Sequence, residues 1–180
     1  MRPDPLAQFE AWWAEAGRPD RMVVATATAD GRPSARMLLL KSAEPQGFTF
    51  FSGYESRKGR ELAANPRAAL LFHWEGRQVR VEGRVERLPP GESDAYWATR
   101  PAGSRRSAAA SHQSEPIGSR EELEAAVAAT PAEPPRPERW GGYRVVPDAY
   151  EFWEHRDDRL HDRFLYRLEN GAWGMQRLQP

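Results

Sequence analysis

Ser56, Arg57 and Lys58 stand together at the start of a short helical stretch, with Ser56 as its N-cap. A helix N-terminus already carries the positive end of the dipole, so two adjacent cations there are disfavoured unless an anion joins them. The trio fits a phosphate seat; it fits a solvated basic patch equally well. Arg36-Met37-Leu38-Leu39-Leu40-Lys41 reads as an apolar strand with a cation at each end. Alternation sends Met37, Leu39 and Lys41 to one face and Arg36, Leu38 and Leu40 to the other. Lys41 is then either an ammonium aimed into a cleft or a charge guarding a sheet edge. Tyr96 and Arg100, four apart, share a helix face, and Ser104 follows just beyond the helix end. A phenol, a guanidinium and a hydroxyl make a phosphate clamp. The helix dipole alone also favours a cation in a last turn. Near the C-terminus, Arg159, His161 and Arg163 crowd into five residues with only Asp162 between them to offset their charge. An anionic ligand would relieve that crowding, whereas a lone His161 reads as a surface histidine.

Composition narrows the chemistry. The 26 basic and 26 acidic residues cancel, so the basic surplus of a nucleic-acid binder is missing. Lys41 and Lys58 are the only lysines, and both fall inside the candidate stretches. The chain has no cysteine, which excludes disulfides, thiolate metal sites and a cysteine nucleophile. His73, His112 and His155 lack ligand spacing and read as structural, and no zinc or calcium pattern is present, so no metal is expected. Neither a GxGxxG fingerprint nor a Walker loop occurs. No apolar run is long enough to span a membrane, and the first residues lack the apolar core of a signal peptide. The expected location is the cytoplasm.

The elements that must position these residues follow from periodicity. Leu6, Phe9, Trp12, Trp13 and Ala16 recur at helical spacing before Gly17 and Pro19. Strands are predicted at Met22–Thr28, Ala35–Lys41 and Phe48–Ser52, the first two joined by an Asp30-Gly31 turn. The helix behind Ser56 ends near Asn65-Pro66. Ala68–Trp74 and Gln78–Glu86 are further strands, the latter alternating strictly with Val79, Val81, Gly83 and Val85 on one face. Helices are predicted at Glu92–Arg100 and Ser119–Ala129, the second with a capping box of Ser119 and Glu122. Four strands close the chain: Tyr143–Val146, Ala149–Trp153, Phe164–Leu168 and one near Trp173–Leu178. Seven Trp, seven Phe and five Tyr supply a core. The fold class is α+β, mainly β: an antiparallel, Greek-key-like small barrel with peripheral helices, in one domain over residues 1–180.

Several motifs occur in one order: RMLLLK (Arg36 to Lys41), SRK (Ser56 to Lys58), RQVRVEGRVERL (Arg77 to Leu88), YWATRP (Tyr96 to Pro101), HQS (His112 to Ser114), WGGYRV (Trp140 to Val145), EFW (Glu151 to Trp153) and RLHDRFLY (Arg159 to Tyr166). Together they resemble the pyridoxamine 5'-phosphate oxidase family, also called pyridoxine 5'-phosphate oxidases, from about Asp4 to Pro180. The resemblance implies an FMN-binding split β-barrel that works as a homodimer, with flavin sites between subunits and a dimerisation and active-site segment at about 140–180. It implies FMN contacts from Arg36, Met37, Leu38, Leu39, Leu40, Lys41, Phe51, Ser52, Arg57, Lys58, Gln78, Gln113, Ser114, Trp153 and Arg163. It implies substrate contacts from Lys41, Tyr96, Arg100, Ser104, Arg159, Leu160 and His161, with Arg159 and His161 beside the reacting carbon. The implied reaction oxidises the phosphorylated B6 amine or alcohol to the aldehyde and reduces dioxygen to hydrogen peroxide, with no nucleic-acid or membrane partner.

The chain departs from the family at some points. Phe51 stands where Tyr is frequent, Ala109 or a neighbour replaces a frequent Trp, and Glu154 to Asp158 is charged where relatives are often Gly-rich. Relatives carry a covering segment ahead of the first helix, which here begins near Pro5 or Leu6. That predicts a more open site with weakened substrate affinity and normal FMN affinity. Two other functions fit the same scaffold: an FMN oxidase of phenazine biosynthesis acting on a tricyclic carboxylate, and a non-catalytic flavin or pyridoxal-phosphate binding protein.

Overall fold

A computed structural model describes residues 1–180. Its elements are α1 (Pro5–Glu15), β1 (Arg21–Ala27), β2 (Pro33–Leu39), β3 (Ser42–Glu44), β4 (Gly47–Gly53), α2 (Arg57–Ala64), β5 (Arg67–Trp74), β6 (Arg77–Arg87), α3 (Pro90–Thr99), α4 (Ala102–Ala110), α5 (Arg120–Ala129), β7 (Trp140–Glu154), β8 (Asp162–Glu169) and β9 (Ala172–Leu178). The nine strands form one antiparallel sheet in the order β2-β1-β5-β6-β7-β4-β3, with β8 paired to β7 and β9 to β8. The sheet curls into a half-barrel, as the alternation in the sequence predicts. Val79, Val81 and Val85 of β6 are buried and their neighbours are not.

Aromatic side chains fill the barrel. Phe9 of α1 is fully buried and meets Phe48 and Phe72 at 4.9 Å each, edge to face. Trp12 meets Phe152 at 5.3 Å in the same way. The first helix therefore plugs one mouth of the barrel. Asp4 caps it by accepting from the Leu6 N–H at 2.9 Å, and Pro5 suits its first position. No helix is long and apolar enough to cross a membrane.

Four elements differ from the sequence expectation. The two strands expected at Tyr143–Val146 and Ala149–Trp153 are one fifteen-residue strand. One edge of β7 pairs with β6 along its length; the other pairs first with β4 and then with β8, which splits the sheet. A bulge at Asp148, where the β6 register passes from Glu82 opposite Ala149 to Gly83 opposite Pro147, lets the ladder continue past the proline. Gly83 permits the close approach: a Cβ there would lie 2.0 Å from the Val146 carbonyl oxygen. The short polar β3 and the alanine-rich α4 carry no periodic apolar signal, and no residue of α4 is buried. At α5, Ser119 accepts from the Glu122 N–H at 3.1 Å, but Glu122 returns to the Gly118 N–H rather than to that of Ser119.

Candidate functional site

A cleft of about 1230 Å³ opens between β2, β4, the start of α2, and the α3–α4 pair. Of the residues that the resemblance implies for FMN or substrate, Met37, Leu38, Leu39, Lys41, Phe51, Ser52, Tyr96, Arg100, Ser104 and Gln113 line it. β2 presents Met37 and Leu39 outward, 58% and 44% exposed, so a flat apolar ligand would find an apolar bed there. On the other wall the rings of Phe51, Tyr96 and Trp140 lie nearly parallel, with Phe51 and Tyr96 3.9 Å apart. Phe51 thus contributes a stacking face and no hydroxyl. Arg100 ends α3 in an extended conformation and still shares the cleft with Tyr96, because Pro101 turns the chain directly into α4.

The floor is built around Lys58. Ser56 caps α2 and accepts from the Gly59 N–H, which tucks the helix start against β4. Lys58 folds back over this turn and is only 5% exposed. Its Nζ donates to Ser52 Oγ at 2.9 Å, Ser56 Oγ at 3.0 Å and Gln113 Oε1 at 3.2 Å. All three acceptors are neutral. Burial, aided by the nearby Arg36 charge and opposed by Glu61, lowers the Lys58 pKa to about 8. Arg57 turns the other way: its Nε donates to Glu61 Oε1 at 2.9 Å, beside a smaller hollow lined by Thr28, Arg32 and Arg60. Arg36 also lies beneath α2, bonded to Thr26 and the Val24 carbonyl and paired with Glu61 at 3.4 Å. The two cations of the SRK motif therefore diverge, and Lys58 alone faces the cleft residues. Leu40 belongs to the core, 3% exposed, and Ser114 sits in a left-handed turn behind Gln113.

Arg100 is the second uncompensated cation. Its guanidinium lies over the rings of Trp140 at 4.6 Å and Trp97 at 5.2 Å. Its Nη1 is buried without a hydrogen-bond partner, and burial lowers its pKa. Neither Lys58 nor Arg100 has a carboxylate partner, whereas Arg36, Arg57 and Arg60 nearby all do. Buried charge without a counter-ion is expensive, so these residues fit a ligand with two anionic groups. They also fit the monophosphate that FMN would bring.

The remaining predicted residues gather elsewhere. Gln78, Trp153 and Arg163 are side-by-side partners across β6, β7 and β8. They lie on the sheet face opposite the buried Val79 and Phe152. Arg163 pairs with Glu151 at 2.8 Å, a buried carboxylate that also holds Arg80 at 2.6 Å. Asp162 is held by Arg156 and Arg177, so part of the charge crowding expected at residues 159–163 is relieved within the chain. Arg159, Leu160 and His161 form the β7–β8 loop and do not line the cleft. His112, expected to be structural, also lines the cleft, as do Arg21, Tyr54, Arg139 and Trp140. Of these, His112 and Trp140 lay in quoted motifs; Arg21, Tyr54 and Arg139 carry no local sequence signal.

The fold is that of a split-barrel protein with a cleft beside β2 and β4. The structure matches a pyridoxamine 5'-phosphate oxidase-related, FMN binding protein from Nostoc punctiforme with TM-score 0.81 at 18% identity, over 100% of each chain. It matches PhzG from Burkholderia lata, solved with tetrahydrophenazine-1-carboxylic acid, with TM-score 0.94 at 34% identity, over 99% of this chain and 94% of that one. Residues 8–131 match the family model described as pyridoxamine 5'-phosphate oxidase. Residues 140–180 match that of the pyridoxine 5'-phosphate oxidase C-terminal dimerisation region. Relatives named pyridoxine/pyridoxamine 5'-phosphate oxidase include one from Cupriavidus pinatubonensis, 55% identical over 98% of this chain and 89% of its own. Another, from Rubrobacter xylanophilus, is 54% identical over 99% of this chain and 88% of its own. The chain belongs to the pyridoxamine 5'-phosphate oxidase family, a family of oxidoreductases, and that membership implies a flavin cofactor.

Proposed function

We propose that the protein is an FMN-dependent oxidase that converts pyridoxamine 5'-phosphate and pyridoxine 5'-phosphate to pyridoxal 5'-phosphate. The amine, dioxygen and water would give the aldehyde, ammonia and hydrogen peroxide; the alcohol and dioxygen would give the aldehyde and hydrogen peroxide. The observation that carries this reading is a pair of cations without carboxylate partners at one aromatic-walled cleft: Arg100, which lines it with Nη1 buried and unpaired, and the buried Lys58, which bonds the lining residues Ser52, Ser56 and Gln113 from behind. Two such cations suit two monophosphates, one on the cofactor and one on the substrate.

Bound FMN would supply the hydride acceptor and the reaction with dioxygen. The chain's own residues would do the rest. Lys58, Ser52 and Gln113 would hold the cofactor phosphate, with Met37 and Leu39 beneath the ring system. Arg36 and Arg57, both turned onto Glu61 and away from the cleft, would act on the same phosphate only through their charge at longer range. Arg100, Tyr96, Ser104 and Lys41 would hold the substrate phosphate. Gln78, Trp153 and Arg163, with Arg159, Leu160 and His161, would reach that cleft from a second copy of the chain. The match of residues 140–180 to a dimerisation region supports this arrangement. So does the separation of Trp140, at the start of β7, from Trp153 near its end, thirteen residues and about 40 Å along the strand. Arg159 and His161 would then hold or move a proton at the substrate's amine or hydroxyl.

The resemblance to PhzG supports a second reading, in which Arg100 meets the carboxylate of a reduced phenazine. Peroxide release separates the readings. The FMN-loaded protein is given pyridoxine phosphate, pyridoxamine phosphate or tetrahydrophenazine-1-carboxylic acid. Peroxide from the two phosphates alone supports the B6 oxidase, and peroxide from the phenazine alone supports the rival. Bound flavin with no peroxide from any of the three makes the protein a binding module.

A further inference from the structure

The loop His155–His161 joins β7 to β8, and one residue, Arg156, ties it at two points. The Arg156 main-chain N–H donates to His161 Nδ1 at 3.1 Å. Its guanidinium donates from Nε and Nη2 to Asp162 Oδ2 at 2.9 and 2.6 Å. Asp162 is gripped from the other side by Arg177 of β9. Glu154, 3.8 Å from the Arg156 guanidinium, adds a second carboxylate. Arg156 thus binds both His161 and its chain neighbour, and each contact raises the effective concentration of the other. The rest of the loop serves the same shape. Asp158 accepts from the Leu160 N–H at 2.9 Å, the Arg159 N–H returns to the Arg156 carbonyl at 3.2 Å, and Arg159 itself adopts φ +66°. The His161 ring is braced by Trp153 at 4.6 Å and by His155 at 5.3 Å, and His155 leans on Asp157.

A histidine nitrogen that accepts a hydrogen bond carries no proton, so a neutral ring held this way carries its proton on the other nitrogen. His161 Nε2 makes no hydrogen bond within the chain and stays free for a ligand. We propose that Arg156 is a positioning residue that fixes His161 as its Nε2–H form, so that His161 meets the substrate as a hydrogen-bond donor rather than as a base at Nε2. Only the partner of that donor, the substrate's amine or hydroxyl, rests on the oxidase reading; the tautomer does not.

The test uses the FMN-loaded protein with 15N-labelled histidine. His161→Gln identifies the His161 signals by their loss. In the unaltered protein above the pH where the ring titrates, Nδ1 should resonate in the unprotonated range and Nε2 in the protonated range. Arg156→Ala keeps the main-chain N–H but frees the loop. It should mix the two tautomers and lower kcat for pyridoxine phosphate roughly three- to tenfold, a modest effect because the pair is half exposed, with KM within about twofold. Arg156→Lys, which restores one charged contact with Asp162, should recover part of both signals. A dominant Nδ1–H form in the unaltered protein overturns the proposal, and so does an unchanged tautomer in Arg156→Ala. The predicted tautomers without any peroxide from B6 phosphates would leave the positioning intact and remove the oxidase reading instead.

Discussion

Lys58 is an ammonium surrounded by neutral oxygens, and its sensitivity to pH follows from that. Its folded pKa is lowered, mainly by burial, from 10.5 to about 8. Below pH 8 the folded and unfolded chains both hold the proton, and the folded chain bears the full desolvation cost. Between pH 8 and 10.5 the unfolded chain binds more protons, so this residue's contribution to stability rises with pH across that window. A phosphate would reverse the preference by favouring the charged form. FMN affinity should therefore fall as pH climbs through 8, while riboflavin, lacking the phosphate, should show little change. Fluorescence titrations from pH 6.5 to pH 9.5 check this, and Lys58→Met should flatten the FMN profile; equal slopes for both flavins would remove Lys58 from the phosphate. Arg100→Ala should act on the substrate. Loss of a charge-assisted contact costs about 1.5–3 kcal/mol, roughly ten- to a hundredfold. The loss should appear in KM, because the phosphate does not change during oxidation. Steady-state kinetics that lower kcat and spare KM would contradict it. At this scale the sequence was most informative where a cation broke a local rule, as at Lys58 and at Lys41. It was silent on Arg139 and Arg21, which reach the cleft only through tertiary folding.

Helix α2 is held to the sheet by one carboxylate. Glu61, 5% exposed, accepts from Thr26 of β1, Ser34 and Arg36 of β2, and Arg57 of its own helix. Burial pushes its pKa up, but the hydrogen bonds from Ser34, Thr26 and Arg57 and the Arg36 charge outweigh burial and bring it down to about 2. The folded pKa lies below the ordinary 4.5, so the stabilisation is complete above pH 4.5 and is lost as pH falls toward 2. Glu61→Gln should lower stability at neutral pH by about 3 kcal/mol, since it strands Arg36. It should also remove part of the acid sensitivity in that window. Denaturant titrations at pH 7 and pH 3 measure both, and an equal loss at the two pH values would argue for packing instead. Gly59 explains why the helix sits so close: a Cβ there would stand 2.0 Å from the Tyr54 carbonyl oxygen, which is main chain and cannot swing aside. Elements of this kind were legible when capped or periodic, as α2 was from Ser56 and β6 was from its valines. The continuity of β7 was not, because Pro147 reads as a strand end unless a bulge across the sheet is known.

For the whole molecule, the consequence of the split between cleft and loop is that an active site would need two chains. Arg100 lines the cleft, whereas Arg159 sits in the β7–β8 loop outside it. The match of residues 140–180, β7 through β9, to a dimerisation region gives the geometry a reason, and complementation tests it. Arg100→Ala and Arg159→Ala dimers should each be impaired, the first in KM and the second in kcat. Co-expressed chains that pair at random give heterodimers in about half of the dimers. In each heterodimer, one site receives both altered residues and the other receives neither. About a quarter of the unaltered kcat/KM should therefore return, above the residual of either parent. Co-expressing two cleft variants, Arg100→Ala with Lys41→Ala, should return nothing, because every site then draws its cleft from a damaged chain. Recovery in the first mixture and none in the second fits a site shared between copies. No recovery in the first, with heterodimers verified by differently tagged chains, would mean that one chain brings its own loop to its own cleft, and the arrangement proposed here would be wrong.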